Sequence, residues 1–291
     1  MLFIFNLVGL NARGDRVIVV VHVHIKLLER LCCPNCKGDL TLQSDQPREE
    51  VVSEGTLHCP TCQARFDIVQ GIPVLLPEGT LQEQGVEQES RGQGAKGFHQ
   101  SSREELLREV SRHHYLPAMG RAARAFACRL DDHQWILDIG AGWGWHWLGQ
   151  PGPQIIALDF SLPMLLVARR LLSEQVDGNV HLVCADAINL PFKDGSMNGV
   201  WSVQMLQHLP RARLDRCLDR IAQVKQPKAS VEVYWINWSM LDRALWRLLG
   251  KRWPKERREP YYFNMVTPHE LLHLLRRSFG GRVSIAYNEL I

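Results

Sequence analysis

Short apolar stretches alternate with amphipathic ones along the second half of the chain. The apolar stretches have the length of buried strands and are bounded by turn residues. We predict strands at residues 136–139, 155–158, 180–184, 200–203, 230–236 and 283–287. Apolar residues at helical spacing predict helices at 104–127, 163–172, 213–224 and 268–278. Repeated strand–helix units favour an α/β fold, a parallel sheet covered by helices.

The N-terminal part follows a different pattern. Residues 1–25 are apolar without a regular period and remain an unassigned extension, for which a natural start site further along the chain is one explanation. Residues 26–78 contain short strand patterns and clustered cysteines, and we predict a small metal-binding module there. Residues 79–98 are rich in Gly, Gln, Glu and Ser, which is typical of a linker. The α/β domain is predicted over 99–291, beginning at Ser102 and Glu105, which have capping-box spacing.

Composition narrows the class of protein. The chain has 291 residues, of which 45% are apolar and 22% charged, which excludes a disordered chain and a coiled coil. The longest apolar runs have five residues, whereas a membrane-spanning helix needs about 18. The net charge of +3 gives no general attraction to nucleic acid. We therefore expect a cytoplasmic protein without a membrane segment.

Four of the eight cysteines form two C-x-x-C pairs. Cys33 and Cys36 make the first pair, and Cys59 and Cys62 make the second, with 22 residues between the pairs. Four thiolates suit a tetrahedral zinc ion, and a site without an open position is structural. The alternatives are reduced thiols without metal and, less favoured, a redox pair. A metal ion would also offset the small core of so short a module.

A glycine turn and three aspartates predict a nucleoside site. Gly140, Gly142 and Gly144 follow the strand that carries Asp138, and they permit a tight turn that a ligand can approach closely. A dinucleotide-binding turn would need glycine at position 145, which is tryptophan, so a dehydrogenase is disfavoured.

Two further aspartates end the next two predicted strands. Asp159 can accept hydrogen bonds from both ribose hydroxyls, and Asp186 can meet an adenine amino group. Each aspartate alone could equally cap a helix or turn. The three together favour the ligand site.

Residues 135–210 resemble the class I S-adenosylmethionine-dependent methyltransferases of the type 11 group. The resemblance lies in the stretches WILDIGAGWGW, IIALDFSLPML and ADAINLPFKDGSMNGVWSVQMLQHLP. Residues 28–76 resemble small zinc modules of the pattern CPxCxGxL … CxxCxxxFxIxxGIPxLL. Such modules occur alone, as activators of RNA and protein methyltransferases, and fused ahead of methyltransferase domains. The two resemblances cover a little under half of the chain.

The methyltransferase resemblance implies a Rossmann-like domain that binds S-adenosylmethionine. It implies that Asp138 and the three glycines hold the methionine part of the cofactor and that Asp159 holds the ribose. It further implies that Asp186 and Ala187 contact the adenine. Residues from Gln204 to His208 would form the floor of the cavity that holds the methyl donor. His208 is the candidate general base, the alternative being a histidine that satisfies a helix start.

The sequence departs from the family pattern in three places. One is that Gln207 and His208 follow the fourth predicted strand of the domain, where no obvious catalytic signature stands. The segment 144–155 between the first two predicted strands of the domain is short. We therefore expect a shortened first helix that is crowded by Trp143, Trp145 and Trp147. The chain ends in or just after the predicted sixth strand, and a seventh strand has no evident sequence. We therefore expect an incomplete sheet.

Three functions stay open at this point. The first is methyl transfer to a small molecule, and the second is RNA methylation, for which basic and aromatic residues alternate in 237–265. The third is a non-catalytic role in which the zinc module docks a protein partner. Residues 26–78 carry five basic and eight acidic side chains, a net charge of −3 that disfavours phosphate binding by the module.

Overall fold

The computed structural model describes residues 8–10, 16–18, 23–43, 51–77, 97–98, 100–112, 115–175, 178–235, 247–248, 256–257, 263–264, 268–280 and 283. Residues 284–287 of the predicted last strand, most of the linker and most of the 237–265 insertion lie outside these residues. No helix in the described part of the chain has both the length and the hydropathy of a membrane span.

The N-terminal part is built from short strands. Its strands are β1 Val8–Leu10, β2 Arg16–Ile18, β3 Val23–His24, β4 Thr41–Gln43, β5 Val51–Val52, β6 Gly55–His58, β7 Arg65–Val69 and β8 Ile72–Leu75, and its helix is α1 Ile25–Leu28. Strands β4, β6, β7 and β8 pair antiparallel in the order β8-β7-β6-β4. The two cysteine turns lie beside this small sheet, the first between α1 and β4 and the second between β6 and β7.

The C-terminal part alternates strands and helices as predicted. Its strands are β9 Trp135–Ile139, β10 Gln154–Asp159, β11 Val180–Ala185, β12 Met197–Val203, β13 Lys225–Tyr234, β14 Glu256–Arg257 and β15 Phe263–Asn264. Its helices are α2 Arg103–Arg112, α3 Tyr115–Ala127, α4 Leu162–Leu171, α5 Arg211–Val224 and α6 Pro268–Phe279. The α/β class and the parallel sheet are therefore confirmed.

Two element boundaries differ from the prediction made from sequence, and one predicted helix start is confirmed. The helix predicted over 104–127 is two helices, α2 and α3. Strand β13 begins at Lys225 rather than at residue 230, because Pro227 is tolerated in a strand that ends the described sheet. The capping box is confirmed: the Ser102 amide donates to Glu105 at 2.7 Å, and the Glu105 amide donates to the Ser102 hydroxyl at 3.2 Å.

One sheet of nine strands runs through both parts, in the order β13-β12-β9-β10-β11-β8-β7-β6-β4. Strands β13 to β8 are parallel neighbours, and β8 joins the two parts by pairing Val74 with Cys184 and Leu75 with Ala185. The sequence analysis did not predict this junction. It means that the cysteine-containing part extends the α/β sheet instead of standing apart from it.

The hydrophobic core follows the two faces of this sheet. Helices α3 and α4 cover one face, where Phe126 and Leu165 pack near Trp147 and Trp201. Helices α5 and α6 cover the other face. On that face the core is continuous with buried residues of the N-terminal part, namely Leu27, Leu31, Leu57, Phe66 and Ile68. Strand β9, which ends at the glycine turn, is consequently buried on both faces.

A second junction holds the loop between β11 and β12. The Cys32 amide donates to the Pro191 carbonyl at 2.9 Å, and the Lys193 amide donates to the Arg30 carbonyl at 2.9 Å, around a bridge between Leu31 and Phe192. The Lys37 ammonium donates to the carbonyls of Asn189 and Leu190 at 3.3 and 3.2 Å. This loop begins at Asp186, so the N-terminal part fixes the loop that carries a predicted site residue.

Arg220 of α5 supports the same loop from inside. The side chain is buried, at 7% exposure. Its guanidinium contacts the carbonyls of Leu190 and Phe192, the Asp194 carboxylate at 2.6 Å and the Cys32 sulfur at 3.9 Å. A planar donor with several N–H groups can satisfy all these acceptors at once.

We expect Arg220→Met to lower the free energy of unfolding by about 2 kcal/mol, because the Phe192 carbonyl would lose the donor described for it and the Leu190 carbonyl would keep only Lys37. Chemical denaturation measures the change. The matched control is Arg216→Met, which removes an exposed arginine one turn earlier on α5 and should cost less than about 0.5 kcal/mol. Equal stability of the two variants would contradict this role of Arg220.

Candidate functional site

The glycine turn after β9 is tied to the end of β10. Gly140, Gly142 and Gly144 have positive φ angles of 77°, 57° and 66°. The amides of Gly140 and Ala141 both donate to the Leu158 carbonyl, at 2.8 and 2.9 Å. A Cβ atom at Gly140 would lie 2.1 Å from Cγ of Met205, so this position has no room for a side chain.

Asp159 joins the first two strand ends. Its side chain is 1% exposed. One carboxylate oxygen accepts the Gly142 amide and the other accepts the Ser161 amide, each at 2.9 Å. Each carboxylate oxygen of Asp159 therefore holds the backbone of a different strand end, the glycine turn after β9 and the turn after β10.

Asp138 lies one strand away and is fully buried. Its Oδ2 accepts hydrogen bonds from His146 Nε2 and Trp147 Nε1, both at 2.7 Å. Its Oδ1 has no hydrogen-bond partner among the described residues. The two donors belong to a 3-10 turn, Trp145–Trp147, that stands where a first helix was expected to be shortened. That expected shortening is confirmed.

Asp186 follows β11 and is also buried, at 4% exposure. Oδ1 accepts the Ile188 amide at 3.1 Å and so caps the 3-10 turn Ala187–Asn189. Oδ2 accepts from the Arg213 guanidinium of α5 at 3.0 Å. The capping function considered from sequence is therefore present, and an ion pair that the sequence did not indicate accompanies it.

The segment after β12 lies against the glycine turn. Gln204 has a positive φ of 55°, and its amide donates to the Tyr234 carbonyl at 2.8 Å, which links the ends of β12 and β13. Met205 then covers Gly140. His208 ends the following 3-10 turn, Leu206–His208, and its amide donates to the Met205 carbonyl at 2.9 Å. The structure thus brings this segment and the glycine turn together.

The four paired cysteines form a second site. The sulfur atoms of Cys33, Cys36, Cys59 and Cys62 all lie within 4.8 Å of one another. Two of the separations, Cys33 to Cys62 and Cys36 to Cys59, are 3.5 Å. Zinc–sulfur bonds of about 2.3 Å in a tetrahedron require sulfur atoms about 3.8 Å apart. The donor set and its spacing therefore fit zinc.

The two cysteine turns have the same backbone. Cys33 and Cys59 each accept at their carbonyl from the amide four residues on, at Lys37 and Gln63, and both of those residues have a positive φ near 60°. Burial raises the pKa of the Cys59 thiol, but hydrogen bonds from the amides of Cys62 and Thr61 and from neighbouring thiols lower it to about 7. A thiol that ionises near neutral pH is suited to metal binding.

Comparison with known families identifies both parts. Residues 136–228 match the family model described as methyltransferase domain, and residues 24–71 match the model described as Trm112p-like protein. The chain combines a class I methyltransferase domain with a Trm112-like module. Hereafter the methyltransferase domain and the Trm112-like module are names for the segments 99–291 and 26–78 predicted from sequence, whereas the family models match residues 136–228 and 24–71.

Curated relatives match the methyltransferase domain over part of their length. Methyltransferase GfsG of Streptomyces halstedii is 32% identical over 96 residues, which are 32% of this chain and 34% of the relative. O-methyltransferase cnsE of Penicillium expansum is 34% identical over 113 residues, 37% and 40% of the two chains. Demethylmenaquinone methyltransferase of Clavibacter sepedonicus is 36% identical over 100 residues, 34% and 39% of the two chains. The chain spans two fifths or less of the length of these relatives.

Among solved structures, a complex between the Haloferax volcanii Trm112 methyltransferase activator and a candidate methyltransferase is similar to this chain. The identity is 17%, and the similarity covers 59% of this chain and 70% of that chain with a TM-score of 0.45.

Sequence reasoning missed the partners of the three aspartates. The sequence analysis did not single out His146, yet this residue contacts Asp138. Arg213 was not considered as a partner of Asp186. The available signal for His146 was local: a histidine between two tryptophans, directly after a glycine turn, is a polar residue in an apolar setting that needs a hydrogen-bond partner.

Proposed function

We propose that the protein transfers a methyl group from S-adenosylmethionine to a small-molecule acceptor. The observation that carries this proposal is the position of Asp138, Asp159 and Asp186 at the carboxyl ends of the neighbouring parallel strands β9, β10 and β11, beside a glycine turn. Ligands of parallel α/β sheets bind in the crevice at these strand ends. Methyltransferase relatives support the reaction type.

The residues at the strand ends fit the parts of this cofactor. A buried carboxylate oxygen without a described partner, Oδ1 of Asp138, calls for a donor such as the ammonium group of the methionine part. Asp159 lies beside the amide of Gly142 at the second strand end, where its carboxylate would accept hydrogen bonds from the ribose hydroxyls. Asp186 stands at the third strand end, where the adenine would lie, with Ala187 next to it.

In methyl transfer the protein mainly has to position the two reactants and exclude water from them. The bound cofactor supplies a methyl group on a positively charged sulfur. In our proposal Gln204, Met205 and His208 border the methyl group, since this segment covers the glycine turn. His208 would accept the acceptor's proton where the nucleophile is a hydroxyl. The other residues hold the reactants in line.

We propose that the Trm112-like module binds structural zinc and acts on its own methyltransferase domain. The strand edge through which the two parts pair is already formed within the chain, between β8 and β11. The module also fixes the loop that starts at Asp186. Support for a separate protein partner comes from the name of its family alone.

A small-molecule acceptor is favoured by two observations. The name of one curated relative, demethylmenaquinone methyltransferase, gives a small-molecule acceptor, and the names of two others give oxygen as the methylated atom. The net charge of −3 over the module opposes contact with a phosphate backbone.

A labelled methyl donor tests the proposal. The purified chain, the donor carrying a radioactive methyl group and a panel of phenols, quinols and amines are incubated with and without ribosomal and transfer RNA. We expect label in solvent-extractable products in the absence of RNA. Label confined to nuclease-sensitive material would replace our proposal with RNA methylation. Binding of the donor with no transfer to any acceptor would favour a non-catalytic protein.

A further inference from the structure

Asp138 is held on one side by two neighbouring residues of the same turn. His146 and Trp147 are 2% and 0% exposed, and their ring N–H groups both meet Oδ2 of Asp138 at 2.7 Å. An ionised carboxylate only accepts hydrogen bonds, so Nε2 of His146 carries the hydrogen that is shared with it. Both donors therefore fall on one oxygen, and the other oxygen is left for a different donor.

The arrangement is rigid. The His146 ring meets Trp145 edge-on at 4.8 Å between centroids and lies 5.3 Å from Trp147 and 6.3 Å from Trp201. Strand β9 fixes Asp138 from below, since it pairs with Ala157 on one side and with Trp201 on the other. Neither the ring nor the carboxylate has room to turn without displacing tryptophan side chains.

Stability alone does not account for an aspartate–histidine pair at this place. Burying such a pair costs desolvation free energy, and apolar residues of similar volume often stabilise a core as well or better. Oδ1 of Asp138 and Nδ1 of His146 are moreover buried without hydrogen-bond partners among the described residues, which adds to the cost. This cost arises at the end of the strand that enters the glycine turn. It indicates a ligand that donates a hydrogen bond to the carboxylate of Asp138.

We propose that His146 is a positioning residue for the cofactor. Together with Trp147 it holds Asp138 so that Oδ1 accepts a hydrogen bond from the ammonium group of the cofactor's methionine part, directly or through one water molecule. This inference rests on the proposed function and adds to it a residue that selects ligands with an amino-acid moiety over plain nucleosides.

Two ligands and three variants test it. S-adenosylhomocysteine carries the amino-acid moiety, whereas 5′-methylthioadenosine has the same nucleoside without it, and calorimetry gives the Kd of each. His146→Phe removes the donor, and His146→Gln keeps an N–H group near the place of Nε2. The matched control is His181→Phe, since His181 is a buried histidine whose hydrogen bond goes to Gln154 at the opposite end of the strands.

We expect His146→Phe to weaken S-adenosylhomocysteine binding by about tenfold or more and 5′-methylthioadenosine binding by less than about twofold, since Asp138 would lose one of the two donors that orient it towards the amino-acid moiety. His146→Gln should recover most of the lost affinity, and His181→Phe should leave the ratio of the two Kd values unchanged. If His146→Phe does not fold, Trp147→Phe, which removes the second donor, is expected to change the same ratio in the same direction.

Other outcomes overturn the inference. A wild-type protein that binds both ligands, with an unchanged Kd ratio in the His146 variants, would leave the proposed function intact and remove the role of His146. Equal losses for both ligands would make His146 a merely structural residue. Failure of the wild-type protein to bind either ligand would overturn the proposed function and this inference together.

Discussion

Replacing Cys59 with serine is expected to lower the melting temperature of the whole chain by more than about 10 °C, in a single transition. A structural zinc ion contributes about 10–16 kcal/mol of apparent binding free energy in small zinc domains, and most of it is lost with one thiolate. The loss spreads beyond the module, because Leu57 and Phe66 share one hydrophobic core with Leu137 and Phe192. Calorimetric unfolding and zinc analysis of the purified variant measure it.

The same substitution is expected to weaken cofactor binding, because the module holds the loop that begins at Asp186. Cys128→Ser is the matched control, since Cys128 is an exposed thiol outside the four-cysteine cluster. We expect this control to retain zinc, melting temperature and affinity. A Cys59→Ser protein whose methyltransferase domain melts separately, at the wild-type temperature, would show that the two parts are energetically independent.

Replacing Gly140 with alanine is expected to weaken binding of S-adenosylhomocysteine at least about 100-fold, equivalent to about 2.7 kcal/mol. The backbone at φ 77° disfavours any side chain, at a cost of about 1–2 kcal/mol. The added Cβ would also lie 2.1 Å from Cγ and 2.3 Å from Cβ of Met205. Since Cβ of Met205 cannot move without the backbone, the segment from Gln204 would be displaced from the glycine turn.

Gly149→Ala separates these two effects. Gly149 also has a positive φ, of 67°, but a Cβ there would meet nothing within 4 Å. We expect this control to lose about 1–2 kcal/mol of stability through the backbone alone and to keep its affinity. Calorimetric titration of both variants with S-adenosylhomocysteine measures the two affinities. Wild-type affinity in Gly140→Ala would mean that the contact between Met205 and the glycine turn has no part in the site.

The sequence predicted those features whose signals are local. The apolar runs that became β9, β10 and β11 each end at an aspartate or a glycine turn, so the strand ends could be placed from residue order alone. The C-x-x-C pairs likewise predicted the sulfur cluster, because turn geometry and ligand chemistry depend on a few adjacent residues. The capping box at Ser102 belongs to the same class.

The features that were missed depend on contacts between distant residues. Leu31 meets Phe192, and Arg220 meets Cys32, across more than 150 positions of the chain, and no periodicity of either segment indicates its partner. The pairing of β8 with β11 is of this kind. His146 is a different case: it lies eight residues from Asp138, but a turn of 3-10 type has no strong sequence pattern.

The central claim, that the strand ends of the methyltransferase domain bind S-adenosylmethionine, is tested most directly by calorimetric titration of the zinc-loaded chain with S-adenosylhomocysteine, with NADH as the control ligand. We expect micromolar binding of S-adenosylhomocysteine, no binding of NADH, and loss of binding in a folded Asp159→Ala variant. Absence of binding to a folded, zinc-loaded wild-type chain, or undiminished binding by Asp159→Ala, would contradict the account.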